Sequence, residues 1–250
     1  MSDPPTSTHA GTASGDRVYF KQLLSGRDFA RGDMMARQMV NFVYLIGDRE
    51  TGEAVVVDPA YAVGDLLDIV EADGMRLTGV LGTHFHPDHL GGAMGGWQLE
   101  GISALLERIS VPVHVQSEEL PWVERTTGVG PADLVGHHSG DVVRVGGLEV
   151  ELIHTPGHTP GSQCFLVRGK LVSGDTLFLE GCGRTDLPGG DPVALYESLT
   201  QRLAKVPDDT IVYPRHRYSE DPSATMGETR RTNVCYRPRS AEEWMAMFGR

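Results

Sequence analysis

Short apolar runs alternate with polar and glycine-containing segments along most of the chain. Strands are predicted where a run rich in β-branched or aromatic residues is bounded by turn residues. The predicted strands are Val18–Leu24, Met39–Ile46, Ala54–Val57, Leu77–Gly82, Val111–Val115, Val142–Val145, Leu148–Ile153, Gln163–Val167, Leu171–Val172 and Thr210–Tyr213. Two of them flank Gly146-Gly147, which predicts a hairpin.

Apolar residues spaced three and four apart predict helices between these strands. The pattern of Val63–Val70 closes on Gly74, a typical helix stop. Pro192–Leu203 is amphipathic, and Asp191 is placed to cap it. The other predicted helices are Glu118–Arg125, Glu242–Phe248 and a glycine-broken stretch, Gly91–Ile109.

Strand-rich halves, with hairpins mixed among strand–helix units, predict an α/β fold of two mixed sheets with helices outside. Residues 1–16 are rich in Ser, Thr, Pro and Gly and have neither a basic start nor an apolar run. They are predicted to be a disordered leader and not a signal peptide. The expected organisation is therefore this leader followed by a single domain over residues 17–250.

Charge and cysteine content narrow the expected partners and compartment. The 22 basic against 34 acidic residues give a formal net charge of −12, which disfavours nucleic acid and anionic membrane surfaces. No apolar run approaches the length that a bilayer span needs. Cys164, Cys182 and Cys235 are widely spaced and odd in number, which is typical of a reducing compartment. We therefore expect a cytoplasmic protein with no nucleic-acid or membrane partner, and the oligomeric state stays open.

The strongest chemical signal is the segment Thr83–Gly91, which reads Thr-His-Phe-His-Pro-Asp-His-Leu-Gly and follows a predicted strand. His84 and His86 point the same way if the backbone is extended there. A proline then bends the chain before Asp88 and His89. The two pairs of side chains are thus aimed at two neighbouring points, which favours two metal ions over one.

Other candidate ligands also follow predicted strands. His158 lies in a turn-rich segment after one strand, and Asp175 and His216 follow two others. This agreement along the chain strengthens the prediction of one shared site. Imidazoles suit zinc or iron, and carboxylates balance the charge of two cations. Asp58 ends a further strand, where it could orient a histidine or form an Asp-Pro turn.

Segment 83–91 resembles the H-x-H-x-D-H signature of the metallo-β-lactamase superfamily. The resemblance implies a four-layer αββα sandwich with a metal site at one edge of the sheets. It also implies two divalent metal ions, zinc first and iron or manganese as alternatives. The implied ligands are His84, His86 and His158 for the first metal, Asp88, His89 and His216 for the second, and Asp175 as a bridge.

Two subgroups of that superfamily are closest in their motifs. Gly174–Phe178 followed by Gly181–Arg184 looks like glyoxalase II, in which a lysine at the position of Arg184 binds the glutathione portion of the substrate. Gly181–Asp186 also looks like the persulfide dioxygenases of the same fold. Segment 225–233 resembles the Glu-Arg-x-x-Asn helix that follows the last metal histidine in relatives.

The residues around the last candidate ligand match less well. Tyr218 agrees with the His-x-Tyr of glyoxalase II, whereas relatives carry a small residue in place of Arg215, and the dioxygenases an Asp in place of Arg217. With Arg184, these arginines are predicted to form a cationic mouth for an anionic thiol conjugate, or else to be surface arginines of a loop. Glyoxalase II has a long C-terminal helical domain for glutathione, whereas 34 residues follow His216 here, so the thiol carrier stays open.

The sequence therefore supports two alternative enzymatic functions. The first is a hydrolase that cleaves a thioester of a small thiol, as hydroxyacylglutathione hydrolase does, with a metal-bound hydroxide as nucleophile and Asp88 and Asp175 as catalytic residues. The alternative is a mononuclear non-haem iron persulfide dioxygenase, which by resemblance would use His84, His158 and Asp175. A non-catalytic zinc-binding module is a third hypothesis, which the cysteine-free ligand set disfavours.

Overall fold

The computed structural model describes residues 17–249, and the predicted leader, 1–16, lies outside this range. The strands are β1 Val18–Leu24, β2 Phe42–Asp48, β3 Glu53–Val57, β4 Arg76–Leu81, β5 Gly92–Met94, β6 Trp97–Leu99, β7 Val113–Gln116, β8 Leu134–His137, β9 Val142–Val145, β10 Leu148–His154, β11 Gln163–Val167, β12 Lys170–Gly174, β13 Ile211–Pro214 and β14 Ala224–Thr225. The helices are α1 Met34–Met39, α2 Val63–Ala72, α3 Pro87–Leu90, α4 Ile102–Leu106, α5 Leu120–Thr127, α6 Pro192–Glu197, α7 Met226–Thr232 and α8 Ala241–Phe248.

Most of the strands in residues 17–249 belong to two six-stranded mixed sheets. The first has the order β1-β2-β3-β4-β7-β8, antiparallel from β1 to β3 and parallel from β3 to β8. The second has the order β14-β13-β12-β11-β10-β9 and is antiparallel except where β12 pairs with β13. Strands β5 and β6 form a separate hairpin.

Alternation along the strands explains the layering. On β2, Phe42, Tyr44 and Ile46 face the space between the sheets, where they join the inner residues of the second sheet in one apolar cluster. The intervening Val43 and Leu45 pack with the helices on the opposite face. Because successive strand side chains point to opposite sides, one strand serves two cores.

The second sheet is covered in the same way. Its outward residues, such as Leu171 and Val212, pack on the apolar faces of α6 and α8, including Leu195 and Trp244. Helices thus flank a pair of face-to-face sheets, and the predicted αββα sandwich is confirmed. In residues 17–249, no helix combines the length and the apolar character that a bilayer crossing needs.

Two predicted elements are wrong in part. The strand predicted over Met39–Ile46 starts only at Phe42, because Met39 ends α1 and Val40 has the left-handed backbone φ of 47° that closes this helix. The glycine-broken helix predicted over Gly91–Ile109 is the β5–β6 hairpin followed by the short α4. Gly95 and Gly96 both have positive φ and form the hairpin turn.

Other boundaries agree more closely. The predicted helix from Val63 ends at Ala72, with Gly74 at φ 70° just beyond it. Asp191 caps α6 as predicted, since its carboxylate accepts hydrogen bonds from the amides of Val193 and Ala194. Strand β8 and helix α1 have no counterpart in the predicted elements.

The strand ends decide where the functional residues lie. β3, β4, β10, β12 and β13 are followed within a few residues by Asp58, His84, His158, Asp175 and His216, respectively. β3 and β4 run parallel, as do β12 and β13, so their carboxyl ends share an edge of each sheet. The predicted ligands converge at this edge.

Candidate metal centre

Three imidazoles converge on one point. Nε2 of His84 lies 2.9 Å from Nδ1 of His86, and Nε2 of His158 lies 3.1 Å from the same atom. Ligand atoms held about 2.0–2.1 Å from one metal ion lie roughly 3 Å apart. The three side chains have the spacing of one coordination shell, and we call them the first cluster.

A second cluster lies beside the first. Nε2 of His216 lies 3.4 Å from Oδ2 of Asp88, and Nε2 of His89 lies 3.7 Å from this carboxylate oxygen. All three side chains are buried. They form the second cluster, and their ligand atoms all lie within 4.8 Å of one another.

Asp175 lies between the two clusters. Its Oδ2 is 3.6 Å from Nε2 of His158 in the first cluster and 3.4 Å from Nε2 of His216 in the second. Its Oδ1 is 3.4 Å from Nε2 of His89. One carboxylate thus faces both sets of imidazoles, which is the placement that a bridging ligand requires. The structure brings all seven predicted ligands together.

The outward nitrogen of each of four imidazoles has a partner. Nδ1 of His158 is 2.6 Å from the carbonyl oxygen of Arg184, and Nδ1 of His216 is 2.9 Å from that of Met39. A ring that donates from Nδ1 to a carbonyl keeps the lone pair of Nε2 directed at the centre. These contacts therefore fix both the orientation and the tautomer of the ligand.

Asp58 and Thr83 contact the other two imidazoles, those of His89 and His84. Oδ2 of Asp58 is 2.8 Å from Nδ1 of His89, and the hydroxyl of Thr83 is 3.1 Å from Nδ1 of His84. Asp58 has a φ of 52°, a strained conformation for a residue with a side chain, and accepts hydrogen bonds from the amide and hydroxyl of Thr83. The interpretation of Asp58 as a residue that orients a histidine agrees with this contact.

The charge state of the centre suits a cation. Burial, followed by the neighbouring imidazoles, lowers the pKa of His84 and brings the pKa of His86 to about 4, so both rings are neutral. Burial opposes the ionisation of Asp175, but the imidazoles of His216 and His89 hold its pKa well below the usual range. Burial also disfavours a charged His89, yet the carboxylates around it raise its pKa to about 9. A bound cation would displace that proton.

Two buried atoms at the centre lack hydrogen-bond partners among the described residues. They are Nε2 of His89 and Oδ1 of Asp175, which face each other at 3.4 Å without the geometry of a hydrogen bond. An unsatisfied buried polar atom costs about 1–3 kcal/mol, and folded proteins rarely keep two side by side. A cation between them would satisfy both, and the mixture of imidazole and carboxylate donors suits zinc, iron or manganese. The residues present therefore fit a two-metal site.

Glu119 connects the two loops that carry the first cluster, and the sequence analysis missed it. Its carboxylate accepts hydrogen bonds from the amide of Phe85 at 2.8 Å, the amide of Gly161 at 2.8 Å and the hydroxyl of Thr159 at 2.5 Å. The side chain is fully buried, and burial raises its pKa from 4.5 to about 7. Glu119 thereby links the loop of His84 to that of His158.

We expect Glu119 to make the stability of the metal-free protein depend on pH. Between pH 4.5 and about 7, the native protein retains a proton that the unfolded chain releases, so the contribution of Glu119 to the free energy of unfolding falls as pH rises. A Glu119→Gln variant does not titrate there. Relative to the wild type, its free energy of unfolding should rise by roughly 3 kcal/mol across this window.

Urea unfolding in the presence of a chelator, at several pH values from about 5 to about 8, measures this difference. The control is Glu118→Gln, which changes the exposed neighbouring carboxylate and should keep the pH dependence of the wild type. A difference between Glu119→Gln and the wild type that is the same at every pH would contradict the assignment.

Arg215 was predicted to line the substrate mouth, and this prediction is wrong. Its side chain is 1% exposed and donates hydrogen bonds to the backbone carbonyls of Phe42 and Asp88. Its Nε lies 3.7 Å from Oδ2 of Asp58. The guanidinium is therefore inside the protein behind the second cluster. Arg217 is exposed and does not line the cavity either.

The two arginines allow a matched test. We expect Arg215→Ala to lower the free energy of unfolding by about 3–5 kcal/mol, because it leaves two carbonyls and the carboxylate of Asp58 without a buried cation. Arg217→Ala should change it by less than about 0.5 kcal/mol, as is usual for an exposed site. Urea denaturation of the three proteins measures both values. Equal losses in the two variants would contradict the buried role of Arg215.

A cavity of about 630 Å³ opens over the two clusters. Its lining beyond the ligands is largely apolar and includes Met39, Phe85, Met94, Phe178 and Leu187. Among the predicted substrate contacts, Arg184 and Tyr218 lie on its wall.

These two side chains differ in their surroundings. The ring of Tyr218 stacks on the ring of His216 at 4.8 Å between centroids. Arg184 is exposed and pairs with both carboxylate oxygens of Asp186 at 2.5 and 2.6 Å, so much of its charge is neutralised. Of the three arginines predicted to form a cationic mouth, Arg184 alone lies at the cavity, and it is paired with Asp186.

Comparison with known proteins agrees with this geometry. A sequence profile described as the Metallo-beta-lactamase superfamily matches residues 37–216. The persulfide dioxygenase ETHE1 of Homo sapiens is 30% identical over 244 residues, which covers 92% of this chain and 86% of that protein. The crystal structure of ETHE1 from Myxococcus xanthus has a TM-score of 0.75 and 32% identity, and the match covers 92% of this chain and 90% of that one. A hydroxyacylglutathione hydrolase of Polaromonas sp. is 37% identical over 185 residues, or 72% of this chain but only 64% of the hydrolase.

Proposed function

The chain belongs to the metallo-beta-lactamase superfamily, and we propose that it is a metal-dependent hydrolase that cleaves the thioester of a small thiol. The observation that carries this proposal is the second cluster, which is as complete and as well supported as the first. His89 is held by Asp58 and His216 by a backbone carbonyl. Asp88 is held by the amide nitrogen of Asn41, 3.1 Å from its Oδ2. This is the ligand set that a reaction at two metal ions uses; because related dioxygenases retain the same ligands, the metal count and the assays described below distinguish the two reactions.

The chain's own residues have distinct parts in the proposed reaction. The first cluster would hold one metal ion, the second cluster another, and Asp175 would bridge them. Bound there, two divalent ions would supply Lewis acidity and lower the pKa of water to near 7. Asp88 and Asp175 are ionised, since the imidazoles outweigh the effect of burial and lower their pKa values. They can therefore balance the cations and orient a nucleophilic water by hydrogen bonds.

The rest of the cavity suits a thioester. Phe85, Met94 and Phe178 give the cavity apolar walls, which would shield the reacting bond from water. A leaving thiol has a pKa near 8.5 and departs as a thiolate with little protonation. The site therefore needs no separate strong acid, and the described lining offers none beside the ligands.

Arg184 lies on the cavity wall, where its guanidinium could exchange the carboxylate of Asp186 for an anionic thiol carrier. We expect Arg184→Ala to raise KM for an anionic thioester by roughly three- to tenfold while kcat changes less than about twofold, because uniform binding is lost. Metal content should not change. Steady-state kinetics with lactoylglutathione measures this effect, and an unchanged KM would remove Arg184 from the binding site.

A persulfide dioxygenase activity is the second candidate. It is supported by the similarity to ETHE1 proteins over 92% of this chain and by the Gly181–Asp186 segment. By resemblance, His84, His158 and Asp175 would hold a single iron. His158 and Asp175 approach within 3.6 Å, and His84 offers a ligand atom within 4.8 Å of each, so this subset of ligands is also assembled.

Metal content and two assays distinguish the candidates. Protein purified without chelator is analysed for zinc, iron and manganese, then assayed for thiol release from lactoylglutathione and for oxygen uptake with glutathione persulfide. About two ions per chain with thiol release supports the hydrolase. One iron per chain with oxygen uptake and no thiol release would overturn it in favour of the dioxygenase.

A further inference from the structure

Two cysteines far apart in the sequence meet beside the cavity. Sγ of Cys182 and Sγ of Cys235 are 2.9 Å apart, although the two residues are 53 positions apart in the sequence. A disulfide bond is about 2.05 Å long, so the sulfurs need to approach by less than about 1 Å to bond. Both residues are free thiols in this structure.

Their approach is built into the local structure. The side-chain amide of Asn233 donates hydrogen bonds to the carbonyls of Phe178 and Gly181, both at 2.9 Å. Its carbonyl oxygen accepts a hydrogen bond from the amide of Cys235 at 2.8 Å. Asn233 therefore clamps the segment that carries Cys235 to the loop that carries Cys182. Because folding already holds the two sulfurs close together, forming the disulfide requires little further loss of conformational entropy.

Small molecules can reach this pair. Cys182 is partly exposed and lies on the wall of the cavity over the metal centre. A neighbouring cavity of about 420 Å³ is lined by both Cys182 and Cys235. Cys164, in contrast, is fully buried against the hydroxyl of Thr155, and burial raises its pKa to about 11. Cys164 is thus the matched inert thiol of the same chain.

We propose that Cys182 and Cys235 form a redox-active dithiol that small disulfides oxidise to an intramolecular disulfide. This inference is independent of the reaction at the metal centre. It assigns to the cavity rim a thiol–disulfide exchange site whose ligand class is a low-molecular-weight disulfide.

The exchange is balanced without a further reactant. The Cys182 sulfur, as thiolate, attacks one sulfur of the small disulfide, whose sulfur–sulfur bond breaks and releases the first small thiol with the proton from Cys182. Cys235 then attacks the Cys182 sulfur of the mixed disulfide and releases the second small thiol with its own proton. The small disulfide gains two electrons, and the protein dithiol loses them.

The pair also adjoins the first cluster. The carbonyl of Arg184, two residues after Cys182, accepts the hydrogen bond from His158. Gly183 packs so closely on the His158 ring that an added Cβ would lie 2.8 Å from Nδ1. The cysteine pair and a candidate metal ligand are therefore held by the same short loop.

Incubation with oxidised glutathione tests the proposal. The hydrogen bond that Cys182 shares with Cys235, and then burial, raise the pKa of the Cys182 thiol, so the incubation runs for hours. The full-length protein is freed of reductant, incubated, quenched with acid, denatured and alkylated, and its mass and peptides are determined. We expect one alkylated cysteine in place of the original three, and a peptide that links Cys182 to Cys235.

Two variants sharpen the result. Cys164→Ser should close as the wild type does, and Cys235→Ser should stop at a mixed disulfide between Cys182 and glutathione. Three alkylated cysteines after incubation of the wild type, or a crosslink that includes Cys164, would overturn the proposal. Neither readout depends on enzymatic activity, so a failure of the dithiol proposal can be distinguished from a failure of the proposed hydrolase.

Discussion

Replacing Asp175 by Asn is expected to reduce turnover by roughly a thousandfold or more, whichever of the two reactions the site catalyses. The carboxylate of Asp175 faces both clusters, at 3.6 Å from His158 and 3.4 Å from His216. The amide has nearly the same shape but no charge, and one of its two positions becomes an NH2 donor that cannot bind a cation. Metal content should fall together with turnover.

Kinetics and metal analysis of purified Asp175→Asn measure both effects. The control is Asp209→Asn, an exposed position before β13, at the strand end opposite the one that leads to His216. It should retain wild-type turnover and metal. If Asp175→Asn kept both its metal and more than about a tenth of wild-type turnover, the bridging role would be wrong.

The convergence of the ligands could be predicted from short segments of the sequence. Each candidate ligand follows an apolar run, and the carboxyl ends of neighbouring parallel strands share an edge. The errors in the fold arise where a few backbone angles decide the structure. Val40 adopts a left-handed conformation, which is uncommon for a β-branched residue, so the apolar pattern predicts a strand from Met39 where the helix in fact ends. Glycines between 91 and 96 allow a hairpin where the apolar spacing suggested a helix.

The supporting residues were harder to predict for a different reason. Glu119 and Arg215 are charged, and charged side chains are usually exposed. Each is buried here only because another part of the chain supplies partners: amides from two ligand loops for Glu119, and carbonyls of Phe42 and Asp88 for Arg215. These partners are 34 to 173 positions away in the sequence. No local pattern records such a contact.

The same limit applies to the cysteines. Their wide spacing and odd number are typical of a reducing compartment and do not indicate that two of them meet, yet Cys182 and Cys235 do. The approach of Cys182 to Cys235 depends on the clamp formed by Asn233, within the segment that resembled the Glu-Arg-x-x-Asn helix of relatives. The motif predicted the helix, α7, but could not show which loop its last residue holds.

Asp88→Ala is the second variant with a large expected effect, and it separates the two candidate reactions. Asp88 belongs to the second cluster, where its Oδ2 lies 3.4 Å from Nε2 of His216. If the protein is a two-metal hydrolase, we expect kcat/KM for lactoylglutathione to fall by roughly a hundredfold or more and metal content to fall from about two ions to about one. The fold should survive, because Asn41 still donates a hydrogen bond to the backbone carbonyl of residue 88 at 3.2 Å.

If the protein is instead a mononuclear dioxygenase, the same substitution lies outside the set of His84, His158 and Asp175. Oxygen uptake with glutathione persulfide should then stay within roughly threefold of wild type, and metal content should stay near one iron per chain. Asp175→Asn serves as the matched comparison, since it removes activity under both mechanisms. If Asp88→Ala kept full thioesterase activity, the two-metal mechanism would be wrong, because the second cluster would then not be needed for hydrolysis.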